Sequence, residues 1–148
     1  MKRLIIVFVL VLTCLMLLAS PVMALSITED SNFGRVTFNI AQGTTVTYSP
    51  MQVYMFLWNR NSVPINYTMT STLTDGVSMG LTQYEGTIQP RQYTYVFLTS
   101  ITVSEVVDIG TYPISLSALI TTPVVAQDGT IKTSAEIVVQ KNNTLTVH

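Results

Sequence analysis

The feature that most constrains this chain is a period of two. In Arg35 to Ala41, Val36, Phe38 and Ile40 face one way while Arg35, Thr37 and Asn39 face the other. In Pro113 to Thr121, Ile114, Leu116, Ala118 and Ile120 alternate with Ser115, Ser117 and Thr121, and in Ile131 to Gln140, Ile131, Ala135, Ile137 and Val139 alternate with Lys132, Ser134, Glu136 and Gln140. Successive side chains of a strand point to opposite sides of its sheet, so each pattern predicts a strand with one buried and one wet face, as antiparallel sheets allow. The 3.6-residue spacing of an amphipathic helix is absent from this part of the chain.

Other segments extend the pattern. Ile65 to Leu73 turns Ile65, Tyr67 and Met69 inward and Asn66, Thr68 and Thr70 outward. Val53 to Trp58 and Tyr93 to Leu98 are apolar on both sides, which predicts central strands and places Trp58, Tyr93 and Tyr95 in the core. Turn signals fall between these runs: Gln42-Gly43, Asn59-Arg60-Asn61, Asp75-Gly76, Glu85-Gly86, Gln89-Pro90, Asp108-Ile109-Gly110 and Asp128-Gly129. Short strands punctuated in this way predict an all-β sandwich in a single domain.

The first residues follow a different logic. Lys2 and Arg3 precede the apolar run Leu4 to Leu18, and Val22-Met23-Ala24 supplies the small or modest residues of a cleavage site. Residues 1–24 are therefore expected to be a secretory signal peptide cut before Leu25, with residues 25–148 as the mature domain. The apolar core continues past Cys14, which argues against a lipid anchor there, and no later run is long enough for a membrane span. Cleavage takes away 24 of 148 residues and leaves 124. It removes the only cysteine, so disulfides and thiolate sites are not expected. It also removes two of seven basic residues, leaving five against eight acids. That balance argues against nucleic acid as a partner. Hydrophobic residues at 48% against 10% charged exclude disorder as the main state.

The segment Asp108-Ile109-Gly110-Thr111-Tyr112 resembles the tyrosine corner of immunoglobulin-like domains, in which a Tyr hydroxyl bonds back to the turn before its strand. The resemblance makes Asp108, Gly110 and Tyr112 structural residues, puts Ile114 where antibody domains carry their second cysteine, and makes Tyr112–Thr121 and Thr130–Gln140 the F and G strands. Tyr54 to Asn61 followed by Pro64-Ile65-Asn66-Tyr67, and Ile88 to Tyr93 further on, are similar to immunoglobulin-like or fibronectin-III-like modules of prokaryotic surface proteins and secreted glycosidases. The likeness runs from about Gly43 to Thr121 and implies an immunoglobulin-like antiparallel β-sandwich of about seven strands. The chain departs from antibody domains in carrying Trp58 on what corresponds to the B strand. The fold hosts many roles and by itself names none.

Residues for catalysis are sparse. The only histidine, His148, is the last residue, where fraying is expected. The acids Glu29, Asp30, Asp75, Glu85, Glu105, Asp108, Asp128 and Glu136 fall mostly at turns, where backbone capping explains them. No catalytic residue, metal site or cofactor is expected, and the chain is read as a non-enzyme. Asn66-Tyr67-Thr68 and Asn142-Asn143-Thr144 are sequons, with Asn66 and Asn142 as glycan acceptors. Tyr48, Tyr54, Trp58, Tyr84, Tyr93 and Tyr95 are weighed as a sugar-stacking row. The two ends, Leu25-Ser26-Ile27 and Leu145-Thr146-Val147, alternate and are weighed as strands donated to a neighbour, although pairing within their own sheets is the expectation. The function these readings favour is a secreted or cell-surface structural or adhesion module acting through protein–protein contacts, with other surface proteins or copies of itself as partners. A pilus-like filament subunit and a carbohydrate-binding accessory protein that takes glycans are the alternatives.

Overall fold

The computed structural model describes residues 27–125, 131–133 and 136–148. The leader, its cleavage site, Leu25-Ser26 and the Asp128-Gly129 turn lie outside the described residues. So do the side chains of the alternating run at 131–138; of that run, Val139 is buried and Gln140 exposed.

The strands build two five-stranded sheets and a short hairpin. In the first sheet, β1 (Ile27–Ser31) pairs with β4 (Tyr54–Asn59), and β4 with the long β8 (Tyr93–Val103). The second half of β8 is flanked by β3 (Thr45–Thr47) and β6 (Val77–Leu81). The second sheet runs β2 (Phe38–Ile40), β12 (Glu136–Val147), β9 (Gly110–Ile120), β5 (Ile65–Thr72), β7 (Glu85–Ile88). The hairpin pairs β10 (Pro123–Val125) with β11 (Ile131–Thr133). Every pairing is antiparallel except that of β2 with β12.

The order β1-β4-β8-β6 matches the ABED sheet of an immunoglobulin-like domain, and β12-β9-β5 its GFC sheet. The strand count exceeds seven because the chain adds β2, β3 and β7 to the two sheets and forms the β10–β11 hairpin. After β1 the chain makes a 3-10 turn at Phe33–Arg35 and re-enters on the opposite sheet as β2. After β6 it crosses again to become β7 on β5. The predicted strand Arg35–Ala41 is accordingly only Phe38–Ile40, since Arg35 closes the turn. The last strand runs on past Gln140 to Val147, because β9 and β2 hold it from both sides.

The aliphatic faces meet in the middle. Met55 and Leu57 of β4, Val96 and Leu98 of β8, and Ile114 and Leu116 of β9 are buried, with Phe33 and Phe38 closing one end. Ser115 and Ser117 are buried as well, so the predicted wet face of this strand is covered; β9 is central, and its neighbours' side chains shelter its outward positions.

Polar side chains pin the layers together. Asn59, fully buried, donates from Nδ2 toward the carbonyls of Val63 (2.8 Å), Ile88 (2.9 Å) and Gln89 (3.2 Å). Its Oδ1 accepts the Asn61 amide at 2.9 Å. Asn143 donates to the carbonyls of Phe33 (2.5 Å) and Val36 (2.7 Å), anchoring the crossover between sheets. Lys141 of β12 reaches Glu29 of β1 at 2.7 Å, across the gap between the sheets. The Tyr67 ring packs beneath Gly86, where a Cβ would come within 2.9 Å of its hydroxyl oxygen. Glycine is therefore required on β7 at that point.

Candidate functional site

A two-layer sandwich has no third layer to cover the outer side of β4 and β8. Along β4 burial alternates: Met55 and Leu57 point in, and Tyr54, Phe56 and Trp58 point out. On β8, Val96 and Leu98 point in, and Tyr93, Tyr95 and Phe97 point out. The register sets these outward residues directly opposite one another: Tyr54 with Phe97, Phe56 with Tyr95, and Trp58 with Tyr93. Six aromatic side chains thus share one solvent-facing surface. Tyr93 is 60% exposed and Tyr95 37%.

This corrects the core placement expected for Trp58, Tyr93 and Tyr95. The split of side-chain type within each run was the available signal: the aliphatic residues hold one parity and the aromatic residues the other. Tyr and Trp carry a polar tip on a large apolar body and tolerate a half-wet position that Leu or Ile does not.

The rings pack on each other. Centroids lie 5.8 Å apart for Tyr54–Tyr95, 5.4 Å for Phe56–Tyr93 and 5.0 Å for Phe56–Tyr95. Interplanar angles reach 72° for Tyr54–Tyr95 and 82° for Tyr93–Tyr95, and only Tyr95–Phe97 is parallel, at 3°. Charge enters at one end and along one side. Arg60 lies over the Trp58 ring, its Cζ 4.7 Å from the centroid. On the neighbouring β1, Asp30 stands directly opposite Phe56, and its Oδ2 accepts the Tyr54 hydroxyl at 3.3 Å. The Asp30 carboxylate raises the Tyr54 pKa above its ordinary value, opposed by the charge of Arg35.

Both aromatic strands are launched from strained turns. Gln52 donates to the Ser49 carbonyl around Pro50-Met51, and Gln92 to the Gln89 carbonyl around Pro90-Arg91. Met51 (φ 70°) and Arg91 (φ 61°) occupy the left-handed region that favours glycine.

The remaining residues singled out in the sequence are dispersed. Asn66 is exposed on the outer face of the second sheet, where its Oδ1 accepts the Thr87 hydroxyl at 2.7 Å beside a shallow depression of about 340 Å³. Asn142 is exposed on the same face, its Oδ1 accepting from Gln140 Nε2 at 3.1 Å. That face is otherwise rich in exposed Thr, including Thr70, Thr72, Thr144 and Thr146. The Tyr112 hydroxyl donates to the Asp108 carbonyl at 2.7 Å. A Cβ on Gly110 would meet that hydroxyl oxygen only at 3.6 Å, an ordinary contact. Tyr84 is exposed but bonds back to the Met79 carbonyl at 3.1 Å, and Tyr48 packs edge-on against Phe38. Neither joins the aromatic face.

The terminal regions are built into the sheets. Leu145–Val147 lie between β2 and β9, and Ile27–Ser31 lie against β4. His148 does not fray as expected: its carbonyl accepts the Gln42 amide at 2.9 Å and its ring meets Asn39 Oδ1 at 3.0 Å. Among the described residues no group of three or more His, Cys, Asp or Glu is placed to hold a metal ion, and no helix is long and apolar enough to cross a membrane.

No family model matches the chain, and no curated protein matches its sequence. Solved structures do. A fragment of Escherichia coli alpha-2-macroglobulin is similar over 85% of this chain and 17% of its own, at 15% identity and a TM-score of 0.47. The YadV chaperone is similar over 82% of this chain and 51% of its own, at 11% identity and a TM-score of 0.45. The PapD-like domain 7 of human CEP192 is similar over 87% of this chain and 90% of its own, at 8% identity and a TM-score of 0.47. The chain thus spans about a sixth of the macroglobulin fragment and half of the chaperone. By its own strand order it is an all-β, immunoglobulin-like sandwich domain.

Proposed function

We propose that this is a non-enzymatic module of a secreted or cell-surface protein that works by docking protein on the aromatic face of β4 and β8. The observation that supports the reading is the outward row of Tyr54, Phe56, Trp58, Tyr93, Tyr95 and Phe97, in which Tyr93 and Tyr95 are exposed and the other four half-buried. Contiguous aromatic patches on a soluble surface mark interaction sites, and Tyr and Trp are the side chains that dominate protein–protein hot spots. Arg60 and Asp30 supply a charged rim of the kind such interfaces carry.

The same row argues less well for a sugar platform. Stacking on pyranose faces requires flat rings presented to the ligand, whereas all of these ring pairs except Tyr95–Phe97 are inclined to each other by 41° to 82° and do not share one plane. Strand donation has less support, because Leu145–Val147 would have to leave two neighbours at once. In this reading, glycans on Asn66 and Asn142 would dress the opposite, threonine-rich face, and the signal peptide would deliver the domain to the surface.

The test is site-specific photo-crosslinking on the native surface. A photoreactive residue in place of Tyr93 is expected to give a discrete protein adduct, and one in place of Thr146, on the far face, none. Adducts at Thr146 alone would overturn the reading. Retention on insoluble polysaccharide that is lost in Tyr93→Ala, with no protein adduct at Tyr93, would replace it with the carbohydrate-binding one.

A further inference from the structure

The aromatic face says where a partner docks, and the carboxylate beside its rings says what that partner brings. We propose that the docked protein lays an arginine side chain over Phe56 and Tyr95, with its guanidinium N–H groups turned to Asp30. The proposal rests on the docking reading above and adds the chemistry of the occupant.

Three outward side chains form one row across three adjacent strands: Asp30 of β1 stands opposite Phe56 of β4, and Phe56 opposite Tyr95 of β8. Side chains paired across strands stand about 5 Å apart, so a planar group over Phe56 has a carboxylate on one side and a tyrosine ring on the other. The Phe56 and Tyr95 centroids lie 5.0 Å apart, with the planes inclined at 51°. The faces of such rings are electron-rich and attract a cation within about 6 Å.

Asp30 has acceptor capacity to spare. It is exposed, and among the described residues it makes no ion pair. Its Oδ1 accepts the Ser31 amide at 2.8 Å. Its Oδ2 accepts the Tyr54 hydroxyl at 3.3 Å, longer than the ~2.7 Å usual between two oxygens. A carboxylate offers about four acceptor positions, which leaves room for the paired N–H groups of a guanidinium. Arg35 also acts on this corner, but at the Tyr54 hydroxyl the charge of Asp30 outweighs it.

The face already holds one guanidinium. Trp58, on the same side of β4 as Phe56, carries Arg60 with its Cζ 4.7 Å from the ring centroid. The chain thus shows the stacking mode with its own arginine at Trp58. At Phe56, where a carboxylate is added, no cation lies over the ring among the described residues. Lysine would supply charge but neither a plane to stack nor a fork for the carboxylate, so arginine fits better. An acidic segment would be repelled by Asp30.

The experiment is an NMR titration of residues 25–148, which hold every described strand, with acetyl-Gly-Arg-Gly-amide over about 1–50 mM, the range expected for one side chain. Parallel peptides carry citrulline, which keeps the shape of arginine without its charge, or glutamate. The arginine peptide is expected to move the ring signals of Phe56 and Tyr95 and the carboxylate signal of Asp30. Replacing arginine with citrulline, Asp30→Asn and Phe56→Leu should each weaken binding by about threefold to fivefold, and the glutamate peptide should leave these signals in place. Circular dichroism verifies that each variant is folded. On the native surface, Asp30→Arg should cut the protein adduct formed from a photoreactive residue in place of Tyr93 by about tenfold. Arginine and citrulline peptides that bind alike, shifts confined to other acids such as Asp75 and Glu105, or no shift at the top of the range would each overturn the proposal. A Tyr93 adduct undiminished by Asp30→Arg would overturn it and keep the docking reading. No protein adduct at Tyr93 with Asp30 intact would remove both.

Discussion

At the end of β4 one carboxamide faces several partners at once. Asn59 is fully buried, and it serves the turn leading to β5 and the turn leading to β8 together. Replacing Asn59 with Ala would take the Nδ2 donor from the carbonyls of Val63, Ile88 and Gln89; Gln89 keeps the Gln92 amide, and the Val63 carbonyl is left short of a donor. Each buried polar group left in that state costs on the order of 1–3 kcal/mol, so Asn59→Ala should lower the thermal midpoint by several degrees in calorimetry. Its neighbour Trp58 should behave in the opposite way. A core tryptophan cut to Ala costs about 3–5 kcal/mol. Trp58 points outward, and what it loses is half-burial and the Arg60 stack, so about 1 kcal/mol is expected from chemical denaturation. A loss near the core value would mean that the ring is packed inside.

Among the elements, β12 is the one the sheet can least spare. It is paired along its length with β9, and at its C-terminal end with β2 as well. Deleting Thr144–His148 removes Leu145 and Val147 from the core together with the β2 ladder and the end of the β9 ladder, and should yield a chain without a cooperative unfolding transition. A folded monomer after that deletion would revive strand donation from this end. The strands themselves were legible in the sequence because a half-buried strand writes its two environments into alternate residues, as β5 does with Ile65, Tyr67 and Met69 against Asn66 and Thr68. The crossings at Phe33–Arg35 and between β6 and β7 were not, because a strand that changes sheets keeps the same alternation throughout. The aromatic face was half-legible. That β4 and β8 are apolar on both sides is plain in the sequence, but periodicity does not say whether the second side meets protein or water. Only the two-layer architecture decides that.

For the whole molecule, three tyrosines tie stability to alkaline pH. Burial lifts the pKa values of Tyr48 and Tyr67 above the ordinary 10.0, and the Asp30 carboxylate does so for Tyr54. The unfolded chain ionises its tyrosines first, so the stabilisation is full below about pH 10 and is lost as pH rises through the folded values. Thermal midpoints measured from about pH 9 upward should fall beyond pH 10, and Tyr67→Phe should flatten the slope. A midpoint that stays level past pH 10 would mean that these hydroxyls are solvated. The Glu29–Lys141 bridge has a separate consequence for how such a molecule lives in a crowd. Glu29 belongs to β1, the outermost strand of its sheet, and turns its carboxylate inward. Inward charge on a border strand spoils it as a template for a stranger's backbone, so ribbon-like growth along that rim is opposed.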